Sequence, residues 1–209
     1  MITLKESLLD DEEDLINDKS SVAKMLVAKL NELLNSKRAG TTCKDMFGNV
    51  AKPGDILLYP EDKCLKLGIV HDFIISDISC KFYYYTYSFD VHDCDVVYAA
   101  DAIKVEDFFK MKIFHGKSGK ELEKMVTELN KKGANSTNKD IFNRKISVGD
   151  IVLCCIAGKI TSKSKAGVVT NVNNSKITLD FCDNTNPKEM SYGGFVKLNE
   201  NDLKKVFKI

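Results

Sequence analysis

One chain says nearly the same thing twice. "KDMFGNVAKPGDILLYP" runs from Lys44 to Pro60, and "KDIFNRKISVGDIVLCC" from Lys139 to Cys155. Aligned, the two segments coincide at Lys44/Lys139, Asp45/Asp140, Phe47/Phe142, Gly54/Gly149, Asp55/Asp150, Ile56/Ile151 and Leu58/Leu153. The correspondence resumes at Gly68-Ile69-Val70 and Gly167-Val168-Val169, and again at Ile103-Lys104-Val105 and Val196-Lys197-Leu198. It also runs backwards into helical patterns that carry Lys24-Met25 and Leu30-Asn31 in one copy, Lys124-Met125 and Leu129-Asn130 in the other. Two copies of roughly 95–100 residues point to duplication rather than a solenoid, which needs three or more units.

Each copy reads as a helix followed by short strands. Ser118-Gly119-Lys120-Glu121 has the form of a capping box opening the second helix. Gly40 and Gly133 stand where a left-handed cap would end each helix. Gly-Asp then opens an apolar strand at Ile56–Tyr59 or Ile151–Cys155, a second strand contains the Gly-apolar-Val triplet, a third spans Phe82–Phe89 or Lys176–Phe181, and a fourth lies near Val96–Tyr98 or Phe195–Val196. Short strands parted by turn residues predict a small barrel. Phe47 and Phe142 are expected to be buried in equivalent places. Glycine for an unusual backbone angle and aspartate for bonding nearby amides make Gly54-Asp55 and Gly149-Asp150 turn chemistry. The fold class predicted is α+β: two repeated units, each a helix plus a small antiparallel β-barrel, behind a short helical leader. The domain limits are 1–20, 21–109 and 110–209. The stretch Val148 to Phe181 resembles the KOW-type small barrel, with Gly-Asp before an apolar strand, a basic loop, then Gly-Val-Val and a further strand.

Charge divides the chain. The total is +1. Residues 1–20 hold two Lys and seven Asp/Glu (−5), residues 44–109 six Lys and twelve Asp/Glu (−6), and residues 110–209 nineteen Lys/Arg and ten Asp/Glu (+9). A near-neutral total argues against a nonspecific DNA coater, whose affinity comes from neutralising phosphates, but leaves a local basic face open. No apolar run approaches the roughly 20 residues of a membrane helix, so no membrane partner is expected. The start is acidic and does not read as a secretory signal. Seven cysteines, an odd number without a Cys-x-x-Cys pair, suit reduced thiols better than a disulfide framework.

The opening "MITLKESLLDDEEDLI" sets Leu4, Leu8, Leu15 and Ile16 near helical spacing, with Thr3 to Glu6 as a capping box and Asp10 to Asp14 as a charged run. Its residues Leu4, Lys5, Glu6, Ser7, Leu8, Leu9, Asp10, Asp11 and Glu12 resemble the short leader that begins many otherwise unrelated proteins of crAss-like gut phages. A leader shared by different folds implies an address or docking tag, here into or onto the virion. The plainer alternative is a locally stable helix with no address role.

Sites with chemistry are sparse. His92-Asp93-Cys94 puts two metal-ligand types two apart on a strand, with Cys64, His71 and Cys80 upstream, but no second close pair completes a zinc spacing. Structural histidines and buried thiols fit better, and no catalytic residue, metal or cofactor is assigned. Alternation in Cys80–Val91 puts Tyr83, Tyr85 and Tyr87 on one face. In an acidic unit that face suits a protein partner better than phosphates, with ordinary cross-strand packing as the plain reading. Lys159, Lys163 and Lys165, near Arg144 and Lys145 in sequence, form a basic loop suited to phosphate contact or to plain solvation. The leading expectation is a non-enzymatic, virion-associated phage protein, structural accessory or packaged cargo, made in the host cytoplasm and acting on other virion proteins. The alternative is a tandem KOW-like module that binds nucleic acid through its second barrel.

Overall fold

A computed structural model describes the backbone of residues 6–35, 44–61, 64–76, 79–85, 94–98, 102–109, 113–117, 119–134, 138–157, 162–173, 176–191 and 194–209, and the side chains of these except 6–19, 71–76, 79–85, 94–98, 107, 134 and 157. In the first half, helix α1 (Glu6–Asn35) precedes β1 (Ile56–Glu61), β2 (Cys64–Ser76), β3 (Ser79–Tyr85), β4 (Cys94–Tyr98), β5 (Ile103–Lys104) and the short helix α2 (Val105–Phe109). In the second, α3 (Gly119–Ala134) precedes β6 (Ile151–Ala157), β7 (Ser162–Val172), β8 (Lys176–Asp180), β9 (Lys188–Ser191), β10 (Val196–Leu198) and α4 (Glu200–Phe207). The architecture is α+β with two antiparallel sheets. Their strand orders are β4-β3-β2-β1-β5 and β9-β8-β7-β6-β10. In both, the last strand returns to lie beside the first.

Each sheet is open among the described residues, with β4 and β5, or β9 and β10, at its edges. The expected closed barrels are therefore corrected to open sheets. The returning strands are only two and three residues long, and a helix covers what closure would otherwise hide. The sequence pattern does not separate the fourth strand from the fifth in the second half. Phe195-Val196 belongs with the returning strand β10, and the strand matching β4 is β9, a polar segment without an apolar signature.

Both faces of the second sheet are buried, which explains its unbroken apolar runs. Ile151, Leu153, Cys155, Ala166 and Val168 enter a central core with Leu26, Val27, Leu30 and Val126 of the helices and with Ile56, Leu58 and Leu67 of the first sheet. On the opposite face, Val152, Cys154, Val169, Leu179, Phe181 and Phe195 form a second cluster. The helices follow the 3.6-residue period: Ala23, Leu26, Val27 and Leu30 in α1, Leu122 and Val126 in α3, all buried. Gly133 does not cap α3. It lies inside the helix, where a Cβ would come within 2.8 Å of the Ile141 side chain. Gly40 lies outside the described residues.

The repeated Lys-Asp-x-Phe is a turn built around a buried carboxylate. Asp45 accepts from the backbone N–H of Phe47 and Asn49 and from Lys104 N–H on β5. Asp140 accepts from Phe142, Arg144 and Lys197 N–H in the same way, and its side chain is fully buried against the Arg144 guanidinium. The aspartate thus fastens the turn to the returning strand. Gly54 and Gly149 take φ of 92° and 87°, and their N–H groups donate to Val70 and Val169. Asp55 and Asp150 accept from Lys52 and Ser147 N–H and pair with Lys104 and Lys197 at 3.1 and 2.7 Å. These are the turn roles the sequence implied.

The aromatic positions differ from expectation. Phe47 and Phe142 are only half-buried, while their neighbours Met46 and Ile141 sit in the core. Phe47 stacks on Phe108 at 4.1 Å, Phe108 meets Phe109 at 4.9 Å, and Phe109 meets Phe142 at 5.8 Å. The four rings bridge the two turns. A half-exposed ring can reach its counterpart across the molecule, which an inward-facing one could not.

Replacing Asp45 or Asp140 by Ala leaves several buried N–H donors without an acceptor, at about 1–3 kcal/mol each where water does not return. Each substitution is expected to cost about 3 kcal/mol in urea unfolding. Asp183→Ala, on the surface, should cost under about 1 kcal/mol. Equal costs at the three positions would contradict the turn role.

Candidate functional site

Helix α1 packs on β7, and α3 packs on β2. Each half therefore lends its helix to the other half's sheet. A buried asparagine fixes both contacts. Asn130 of α3 accepts from Leu67 N–H at 2.7 Å and donates to Leu67 C=O at 2.8 Å. Asn31 of α1 accepts from Ala166 N–H at 2.8 Å and donates to the carbonyls of Ala166 and Phe181, each at 2.9 Å. Leu67 and Ala166 each pair with the first strand of their sheet, opposite Leu58 and Leu153. On their other side, among the described residues, the third strand's ladder begins only at Ile69 and Val168. The asparagine amide supplies the donor and acceptor that the missing strand would have given. Lys24 of α1 adds an ion pair to Asp180 at 3.5 Å.

Sequence reasoning noted Leu30-Asn31 and Leu129-Asn130 but gave them no role. The signal was present: an amide in the apolar stripe of a helix must find buried partners, and it recurs at the same place in both helices.

Helix α1 begins well ahead of this interface. α1 is unbroken from Glu6 to Asn35, so the expected limit at residue 20 falls inside one helix. Asn31 stands 25 residues after the start of α1, and Asn130 stands 11 after the start of α3. Superposing the two asparagines therefore leaves Glu6–Lys19, fourteen residues, without a counterpart in α3. That surplus is about 21 Å of helix at 1.5 Å per residue. It holds Glu6, Ser7, Leu8, Leu9, Asp10 and Asp11, and the first buried side chain described in α1 is Ala23. Leu4 and Lys5 lie outside the described residues.

The other sequence candidates divide. Tyr83 and Tyr85 lie on β3, opposite Val96 and Cys94 of β4. Their side chains, and all of Tyr87, lie outside the described residues, as do Lys159 and the side chains of His71, His92, Cys80 and Cys94. Lys163 is exposed on β7. Lys165 is committed within the molecule: its ammonium bonds Asp183 at 2.5 Å and lies 4.4 Å over the Phe181 ring. Asp183 was missed, although Asp183-Asn184-Thr185 has turn character. Hydrogen bonds from Lys165 and then from Thr185 hold its carboxyl down at about 2.

Cations concentrate instead beside the second Gly-Asp turn. Arg144, Lys145 and Lys197 line a cleft of about 460 Å³ over Gly149–Ile151. Arg144 also donates to Lys197 C=O at 2.6 Å. The corresponding cleft at Gly54–Ile56 is smaller, about 160 Å³, and is lined by Glu106, His115 and Lys117. Asn49 and Val50 stand where the second half has Arg144 and Lys145. Asp150 and Glu200 share the lining of the larger cleft, where Arg144 is paired with Asp140 and Lys197 with Asp150.

Cys64, Cys154, Cys155 and Cys182 are free thiols. Burial, reinforced by Cys155, pushes the Cys154 thiol far up. Burial, then Asp180, raises Cys182 to about 11. Both stay protonated and unreactive near neutrality. No group of three or more His, Cys, Asp or Glu among the described residues could hold a metal ion. No helix among them is long and apolar enough to cross a membrane. No protein-family model matches the chain, and no curated protein is significantly similar to it.

Asp183 has a folded value below its ordinary 3.8. The stability it lends is present above about 4 and is lost as pH falls toward about 2. Its carboxyl carbon is expected to titrate by NMR with a midpoint near 2, and near the ordinary value in Lys165→Met. A midpoint unchanged by that substitution would contradict the pair.

Proposed function

We propose that this chain is a non-enzymatic, virion-associated phage protein, a structural accessory or packaged cargo, that acts through contacts with other virion proteins. The surplus of helix α1 carries the reading. Its fourteen residues, Glu6–Lys19, include seven of the nine residues of the phage-type leader, Glu6 to Glu12. A tag on a helix whose other end is clamped by Asn31 is presented at a fixed distance from the body, so docking costs little ordering entropy. Asp10 to Asp14 would steer the encounter and the leucines supply apolar contact. The conspicuous buried carboxylates, Asp45 and Asp140, are filled by turn donors, which makes them structural groups rather than acids or bases awaiting a substrate. The shared strand order supports a duplicated origin for the two sheets.

The cleft of Arg144, Lys145 and Lys197 favours one second reading, phosphate or nucleic-acid contact by the second half. Lys163 faces solvent near that half's basic loop, whereas Lys165 would have to leave Asp183 to take part.

Deleting residues 1–19 from the phage-encoded protein separates these readings. The melting temperature is expected to move by less than about 4 °C, the shift that about 1 kcal/mol produces in a chain of this size. Incorporation into virions is expected to vanish, and salt-dependent gel shifts to be unaltered. A stable truncated protein that is packaged normally would end the docking proposal. Loss of a gel shift on neutralising Lys145, Lys159 and Lys163 would establish the second reading.

A further inference from the structure

We infer that the chain is a dimer fused to itself: the two helix-on-sheet contacts are one self-complementary surface used twice, and the partner that surface fits is a second copy of the same unit. In a two-fold dimer, whatever residue i does to j across the interface, j's subunit does in return. That reciprocity is present here within one chain. Asn31 clamps Ala166, and Asn130 clamps Leu67. Leu67 and Ala166 are equivalent, for each directly precedes the glycine of the Gly-apolar-Val triplet. α1 lies on β7 as α3 lies on β2, and β1 touches β6 and β7.

The clamp also says what the surface recognises. It takes a helix with an asparagine in its apolar stripe, and reads the backbone N–H and C=O of one strand residue where two strands part. Around Ala166 the fit is close. A Cβ on Gly167 would lie 3.1 Å from Leu179 and 3.2 Å from the Asp180 carbonyl, so the fork itself has no room for a side chain. At the other contact the loop before β10 seals the joint. Gly194 takes φ of 66°, donates its N–H to Gly133 of α3, and would drive a Cβ to 2.5 Å from the Leu65 carbonyl of β2.

Neither half is complete in this arrangement. Each sheet's central face is covered by the other half's helix, so cutting the connection should not release two domains. A protease site inserted in the full chain between His115 and Gly116, both exposed, tests this. After cleavage the two pieces are expected to elute together at the position of the intact 23.4 kDa chain and to part only in denaturant. Asn31→Leu and Asn130→Leu, each in the cleaved protein, are expected to raise the fragment dissociation constant at least tenfold and by similar factors, because each leaves a strand N–H and C=O unpaired. The unsubstituted cleaved protein is read independently, so a variant that fails to fold does not blunt the test. Fragments that separate in buffer would overturn the inference. So would a pair that dissociates no more readily when either asparagine is lost.

Discussion

Two side-chain amides hold this molecule in its shape. A strand residue that lacks a neighbour on one side exposes a donor and an acceptor, and burying them unpaired costs about 1–3 kcal/mol each. Asn31 and Asn130 satisfy those groups from helices of the opposite half. The alternative to exchange is a sheet whose apolar face meets water. With exchange, both faces of the second sheet are dry and the central core contains residues of all four parts, two helices and two sheets. The glycines follow from the same closeness: Gly133, Gly167 and Gly194 sit where helix, strand and loop leave no space for a Cβ.

The buried aspartates serve a second, local purpose. Asp45 and Asp140 lie within four residues of most of their donors, yet each also holds an N–H of the returning strand, Lys104 or Lys197. A turn and a strand more than fifty residues apart are thereby closed together. In the second half Arg144 pairs with Asp140, and it lines the neighbouring cleft together with Lys145, Lys197, Asp150 and Glu200. The same scaffold thus carries clefts of different size and lining in its two halves, about 160 and about 460 Å³.

Much of the frame was legible. Periodicity located α3 and the two ends of α1 without their continuity, and Gly-Asp located the turns before β1 and β6. The match of Ile103-Lys104 with Val196-Lys197 falls on the two returning strands, although the sequence pattern alone does not mark them as strands of their own. What escaped had physical causes. β9 is short and polar, so no apolar run marked it. The half-burial of Phe47 and Phe142 depends on Phe108 and Phe109, which are distant in sequence. Openness of the sheets depends on which helix covers which sheet, and helix patterns reveal a buried face without naming its partner. The asparagines were visible in both stripes, but their role becomes apparent only once the fork between strands is known. Lys165 looked like a free cation because its partner, Asp183, belongs to a loop eighteen residues on.

The surplus turns of α1 rest on the same frame. Because α1 is one helix, whatever binds its surplus turns is mechanically joined to the Asn31 clamp and through it to the second half's sheet. Native-state hydrogen exchange tests the exchanged-helix account most directly. The amides of Leu67 and Ala166, and those of β1, β2, β6 and β7 around them, are expected to share one opening free energy equal to that of global unfolding, since neither sheet can open without losing the other half's helix. Two separate opening energies, with one half's strands exchanging while the other's stay protected, would show that the halves stand alone and would contradict it.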